Sequence, residues 1–171
     1  MSSAHPPSTA DRPRGCSNLR LRRADRLVSR FYDGVIAPRT GLKTSQYSLL
    51  SHVATLSPVR PADLAQQMGL DPSTLTRNLQ PLVAAGWVQV GPGTDGRSRE
   101  VLITEAGQAK RADAQQAWKL AQQAFNQRVG EQRVAQLHQL LDECLALLAQ
   151  PGTGAGATAQ DHSPAEEQLD D

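Results

Sequence analysis

Aromatic residues are scarce in this chain: two Trp, two Tyr and two Phe, 4% of 171 residues. With Ala, Leu, Gln and Arg dominating its middle, the chain is expected to form helices joined by short turns rather than a sheet-rich fold. Cysteine is scarcer still. Cys16 and Cys144 are too few for a disulfide framework and too far apart for a close-spaced metal pair. The four His are scattered, and neither HExxH nor CxxC occurs, so no metal and no cofactor is expected. Catalytic patterns are missing as well: no Ser/His/Asp set, paired carboxylates or phosphate loop stands out, which argues against an enzyme. No apolar run approaches the roughly 18 residues that cross a bilayer. Residues 1–14 are rich in Pro and Ser and lack the apolar stretch of a secretory signal, so a cytoplasmic protein with no membrane partner is expected.

What is present is unevenly distributed. The formal net charge of +1 hides an acidic end, where Asp161, Glu166, Glu167, Asp170 and Asp171 occur without a Lys or Arg after Pro151. The remaining body is basic, which suits nucleic acid and equally suits an ordinary solvated surface. The run Gly152-Thr153-Gly154-Ala155-Gly156-Ala157-Thr158 cannot bury enough apolar surface to offset the entropy of ordering. The expected organisation is a disordered arm over 1–15, one ordered domain over 16–150, and a disordered acidic tail over 151–171.

Within the domain, a first helix is expected over Ser17–Ile36, ended by Pro38 and Gly41. Leu21, Ala24, Val28, Phe31 and Val35 recur on one stripe, and Arg22, Arg26 and Arg30 on another. A second helix begins at Thr44 and buries Tyr47, Leu50, Val53 and Ala54. Pro61 opens a short helix to Met68, ended by Gly69, and Asp71-Pro72 opens another reaching about Ala85. Two β-rich runs, Trp87–Val90 and Arg99–Ile103, flank a connection dense in turn formers and read as a hairpin. Thr104 caps a long helix to about Val129 with Ala114, Trp118, Ala121 and Phe125 on its apolar face. A last helix carries Val134, Leu137, Leu141, Cys144 and Leu148 at alternating steps of three and four, the spacing of a helix–helix seam. The fold class is mainly α (α+β).

Residues 61–85 are the informative stretch. Two helices meeting steeply across a short turn need a small residue at the close approach and a Gly able to take positive φ; Ala65 and Gly69 satisfy both. On a helical wheel of the second helix, Leu75, Leu79, Leu82 and Val83 cluster on one side. Ser73, Arg77, Gln80 and Ala84 fall opposite, flanked by Thr74 and Thr76. A face of small hydroxyls, one amide and one guanidinium can enter a major groove: Arg donates two bonds to guanine, while Ser and Thr reach phosphates or base edges. The competing reading is a solvated surface helix. The hairpin that follows favours the groove, because its tip carries Asp95, Arg97 and Arg99, and a narrow minor groove attracts an inserted Arg. Asp95 is spaced to hold Arg97 by a charge-assisted bond.

The arrangement resembles the MarR family of bacterial transcriptional regulators over about residues 17–148. The resemblance is carried by Ser45-Gln46-Tyr47-Ser48-Leu49-Leu50, Leu64-Ala65, Asp71-Pro72-Ser73-Thr74-Leu75-Thr76-Arg77-Asn78-Leu79, Gly86-Trp87-Val88, and Asp95-Gly96-Arg97-Ser98-Arg99 through Thr104. It implies a winged helix-turn-helix with a DNA-binding lobe at about 44–104 and dimerisation helices at about 17–37 and 105–149. It also implies an obligate homodimer on a pseudo-palindromic double-stranded operator, with Ser73, Thr74, Thr76, Arg77, Gln80, Asp95, Arg97 and Arg99 as DNA-binding residues. A repressor of neighbouring genes, released by a small aromatic or phenolic effector, is the expected function. Tyr47, His52, Pro61 and Thr76 are the candidate ligand residues, although Val90 stands where salicylate-type relatives carry an Arg. Two alternatives remain: a thiol-based redox repressor using Cys16, and a winged-helix module that binds protein. Cys16 lies near a helix start and Arg20, which favours a thiolate. Alignment through Phe31-Tyr32, however, puts the sensing position of peroxide-responsive relatives nearer Asn18. Cys144 is expected to pack in the last seam.

Overall fold

Apolar periodicity sets the element order seen in the computed structural model, which describes residues 14–93 and 98–150. Among these residues the chain forms α1 (Ser17–Thr40), α2 (Thr44–Leu56), α3 (Pro61–Gln67) and α4 (Pro72–Ala84). The strands β1 (Val88–Pro92) and β2 (Arg99–Ile103) follow, then α5 (Glu105–Val129) and α6 (Glu131–Ala149). The chain divides into two compact units, Met1–Arg128 and Val129–Asp171, each described by itself.

In the first unit, the interior of α2, α3, α4 and the hairpin is one apolar cluster that includes Leu49, Leu50, Val53, Leu64, Leu75, Leu82, Val88 and Val101, and it reaches Ala114 of α5. A second cluster joins Tyr32 and Ile36 of α1 to Ala117 and Ala121 of α5. Phe31, Tyr32 and Phe125 stack edge-on or tilted there, with ring centroids 5.7 to 6.1 Å apart. The Tyr32 hydroxyl donates to Gln122 Oε1 at 2.7 Å, which fixes the rotation of α1 against α5. Small alanines on α5 allow this approach.

The two ends of α1 differ from expectation, one in extent and one in burial. α1 continues through Pro38 to Thr40 and stops only at Gly41, whose φ of 71° lets its N–H reach the Ala37 carbonyl at 2.8 Å. A proline in a last turn forfeits a single intrahelical bond, so Gly41, not Pro38, decides the end. The start of α1 is also barer than its apolar stripe suggests: Leu21 and Ala24 are exposed, and burial begins at Val28. Between α3 and α4, Gly69 takes φ 61° and its turn closes through Leu70 N–H to the Ala65 carbonyl at 2.9 Å.

The hairpin pairs Val88 with Ile103 and Pro92 with Arg99 in antiparallel register. An element not expected from sequence completes it: Val59, between α2 and α3, exchanges both backbone bonds with Val101 at 3.1 and 2.8 Å. β2 is therefore paired on both edges at Val101. In the second unit, α6 buries only Val134.

α5 meets the hairpin at one point of close approach. The Thr104 hydroxyl donates to the Gly86 carbonyl at 2.8 Å and lies 3.1 Å from the Trp87 carbonyl, while accepting the Gly107 N–H at 3.0 Å. A Cβ on Gly107 would lie 2.0 Å from the Trp87 carbonyl oxygen and 2.9 Å from Ile103 Cγ1. Backbone cannot yield as a side-chain tip can. Gly107→Ala is therefore expected to lower unfolding stability by about 2 to 3 kcal/mol, measured by urea denaturation; an unchanged midpoint would contradict this packing.

Candidate nucleic-acid interface

α4 starts on a strong cap. The Asp71 carboxylate accepts the Thr74 N–H at 2.9 Å and the hydroxyls of Ser73 and Thr74 on its two oxygens. The Ser73 hydroxyl, followed by the hydroxyl and N–H of Thr74, holds the Asp71 carboxyl well below its ordinary 3.8. Because the folded-state value is depressed, the stabilisation is complete above the unfolded value and fades only as pH falls through strongly acid conditions. The Tm deficit of Asp71→Ala should therefore be constant from neutral pH down to mild acid and shrink only at stronger acidity. A deficit that disappeared by pH about 5 would contradict the cap.

Burial sorts the rest of the helix. Leu75, Leu79 and Leu82 are buried, while Ser73, Thr76, Arg77, Gln80, Pro81 and Ala84 are exposed. Val83, expected on the buried side, is instead 40% exposed, because three leucines already fill the core beneath α4. The Thr76 hydroxyl donates to the Pro72 carbonyl at 2.8 Å. The hydroxyl protons of Ser73, Thr74 and Thr76 are thus committed within the chain, and phosphate oxygens offer only acceptors. Arg77 and Gln80 make no side-chain hydrogen bond to the other described residues. They are the free donors of the exposed ridge.

A cleft lies on each flank of this ridge. The hairpin-side cleft encloses about 480 Å3, with Pro61, Leu79, Val83 and Val90 as apolar wall and Thr76, Gln80 and Arg99 as polar edge. The α2-side cleft is smaller, about 250 Å3, and polar.

The expected ligand residues do not converge. Pro61 and Thr76 share the hairpin-side cleft. Tyr47 is buried and packs against Trp118, ring centroids 6.4 Å apart, so it is a core residue. His52 lies by a different depression with Ser51, Thr55 and Gln67, its Nδ1 2.8 Å from the Ser48 carbonyl oxygen. Arg99 begins β2 beside the hairpin turn and lines the cleft; Asp95 and Arg97 lie outside the described residues. Cys16 is an exposed free thiol, but the guanidinium of Arg20 donates to the Arg14 carbonyl at 3.1 Å and has no hydrogen bond to it. Cys144, expected in a packed seam, is exposed along α6. The hairpin-side role of Arg99 was not evident from sequence. The cross-strand pairing of Pro92 with Arg99 is its one signal, and only the hairpin register reveals it.

Two helices around a tight turn, followed by a β-hairpin, define a winged helix-turn-helix. A model of the MarR family matches residues 40–98. The M. tuberculosis transcriptional regulator MOSR, solved in complex with DNA, is 30% identical; the alignment covers 76% of this chain and 98% of that one, with a TM-score of 0.61. A MarR-family transcriptional regulator from Rhodococcus sp. RHA1 is 25% identical at TM-score 0.64, over 74% of this chain and 90% of that one. The uncharacterized HTH-type regulator YwoH of Bacillus subtilis is 28% identical over 90 residues, 53% of this chain and 65% of that protein. The chain thus spans slightly less than two thirds of that relative. A mutant MarR from E. coli complexed with operator DNA shares the fold at TM-score 0.67, covering 75% of this chain and 92% of that one at 23% identity. The chain belongs to the MarR family of winged-helix transcriptional regulators, and it is a regulator rather than an enzyme.

Proposed function

We propose that this protein is a cytoplasmic homodimeric repressor that binds a pseudo-palindromic operator through α4 and leaves it when a small effector fills the hairpin-side cleft. The observation that carries this reading is the α4 ridge, where Arg77 and Gln80 stand exposed, with donors uncommitted among the described residues, above an apolar inner face. An α-helix fits a B-form major groove about 12 Å wide, and Arg and Gln are suited to bidentate contacts with guanine and adenine. The solved DNA complexes of similar chains support the same reading. A protein-binding ridge would instead carry apolar or acidic side chains there.

Dimerisation is supported by apolar surface that each helix leaves bare. The first half of α1 exposes Leu19, Leu21 and Leu27, and α6 exposes Leu137, Leu140, Leu145, Leu147 and Leu148. Leucines at that density in water mark an interface. Effector release is supported by the hairpin-side cleft, whose apolar wall and single cation at Arg99 suit a small flat anion. An occupant there touches the ridge residues Thr76 and Gln80 and the hairpin residues Val90 and Arg99 together. Among the described residues, no helix is long and apolar enough to cross a membrane.

Three variants test the reading. Arg77→Ala should lower affinity for a duplex selected by the protein by about 1 to 3 kcal/mol and flatten base preference. Arg97→Ala should weaken binding chiefly at A·T-rich flanks. Unchanged affinity in both variants would refute the DNA-reading assignment. Leu137→Glu should convert the sedimenting species to a monomer and abolish operator binding; a dimer that persists would place the interface elsewhere.

A further inference from the structure

The cleft on the α2 flank of α4 differs in chemistry from its neighbour across the ridge. Lys43, Ser45 and Gln46 line it from the start of α2, and Arg77, Asn78 and Pro81 from α4. Among the described residues its lining holds two cations and no carboxylate. The Asp33 carboxylate of α1 approaches this end of α2, but it accepts the Thr44 N–H at 2.7 Å. The Lys43 N–H is likewise taken, by Gln46 Oε1 at 2.9 Å. These leading backbone donors of α2 are therefore engaged within the chain, and attraction for an anion rests on side chains from two separate helices. The Lys43 ammonium and Arg77 guanidinium are exposed and form no ion pair with another described residue.

We propose that this cleft seats one backbone phosphate of the bound duplex, held between Lys43 and Arg77 with the Ser45 hydroxyl donating to it. The proposal rests on α4 being the groove-reading helix. A helix about 10 Å across nearly fills a major groove about 12 Å wide, so a sugar–phosphate backbone runs along each of its flanks. On the hairpin side that backbone meets a largely apolar wall. On the α2 side it meets two cations, a hydroxyl and two amides at the foot of the ridge. A phosphate contact fixes position on DNA without carrying sequence information. Arg77 stands where ridge and cleft meet, so removing it disturbs both base and backbone contacts. Lys43 belongs to the cleft alone and isolates its contribution.

The test uses the full chain, a duplex selected by it from a random pool, and a scrambled duplex of equal length. Affinities are measured by fluorescence anisotropy over a range of salt. Lys43→Gln should weaken binding to both duplexes by the same factor, about fivefold per protomer at ~0.15 M salt, and reduce the slope of log K against log salt by about 0.9 per protomer. Lys43→Arg should restore both. Ser45→Ala, which leaves the charge in place, should weaken both duplexes by about twofold with the slope unchanged. An unchanged salt slope in Lys43→Gln, with wild-type melting, would overturn the proposal. So would a loss confined to the selected duplex, which would make Lys43 a base reader. Ser45→Ala binding as wild type would remove the hydroxyl from the site and leave no built seat for a phosphate. If the wild-type protein selects no sequence and binds neither duplex, the α4 reading itself fails, an outcome distinct from a silent Lys43.

Discussion

Three leucines on α4 set everything that faces outward from it. Leu75, Leu79 and Leu82 are buried to 1%, 6% and 0% exposure, and their spacing of four and three fixes the rotation of the helix about its axis. With that angle fixed, Arg77 and Gln80 must point away from the core. Among the described residues no separate interaction aims them. Burying three leucine side chains is worth about 5 to 8 kcal/mol of transfer free energy as an upper bound, far more than any contact these exposed side chains make within the chain. The helix is consequently held in place while Arg77 and Gln80 make no side-chain hydrogen bond to the other described residues. The Asp71 cap serves the same end, since it engages the nearby hydroxyls and fixes the first turn of the helix.

A second junction ties the hairpin to the long helix behind it. Thr104 bonds to the Gly86 and Trp87 carbonyls and to the Gly107 N–H, and the Lys110 ammonium lies 5.2 Å from the Trp87 ring centre. Val59 pins the other edge of β2. The base of the hairpin is therefore held on two sides, and Arg99, at the start of β2, extends from an anchored strand. Gly107 of α5 leaves no room for a Cβ against Trp87 and Ile103, so α5 packs directly on the strand that carries Arg99.

The sequence made most of this legible, and where it misled the reason is physical. Helix starts were visible because Asp71, Thr104, Pro61 and Pro72 are chemically distinctive at caps. The turn was visible because only glycine comfortably takes the φ of Gly69. The span of α1 was misjudged because proline signals a helix break, yet its cost in a last turn is a single bond. Val59 gave no signal, since one residue pairing with a distant strand has no period. Val83 was misplaced because a wheel cannot tell how many apolar residues a core accepts. Tyr47 and His52 were grouped with Pro61 and Thr76 by their place in a resembling family; three-dimensional packing separates them. The α2-side cleft has no signature in the sequence, because Lys43 and Arg77 are 34 residues apart and only the fold brings them to one wall.

Opposite chemistry on the two flanks of one helix constrains how such a protein can be switched. Thr76, Gln80 and Leu79 border the hairpin-side cleft, whereas Arg77, Asn78 and Pro81 border the polar one. The two sets interleave along a single helix, so α4 cannot rotate to favour an occupant on one flank without moving the other. Under the proposed function, a ligand wedged between α4 and the hairpin would push the ridge toward α2 and narrow the space beside Lys43. That displacement need not touch a single base-reading contact to weaken DNA binding. Loss of backbone contacts alone removes affinity at every sequence equally, and a repressor competing with a genome of non-specific sites is released by that means as surely as by a lost base pair contact.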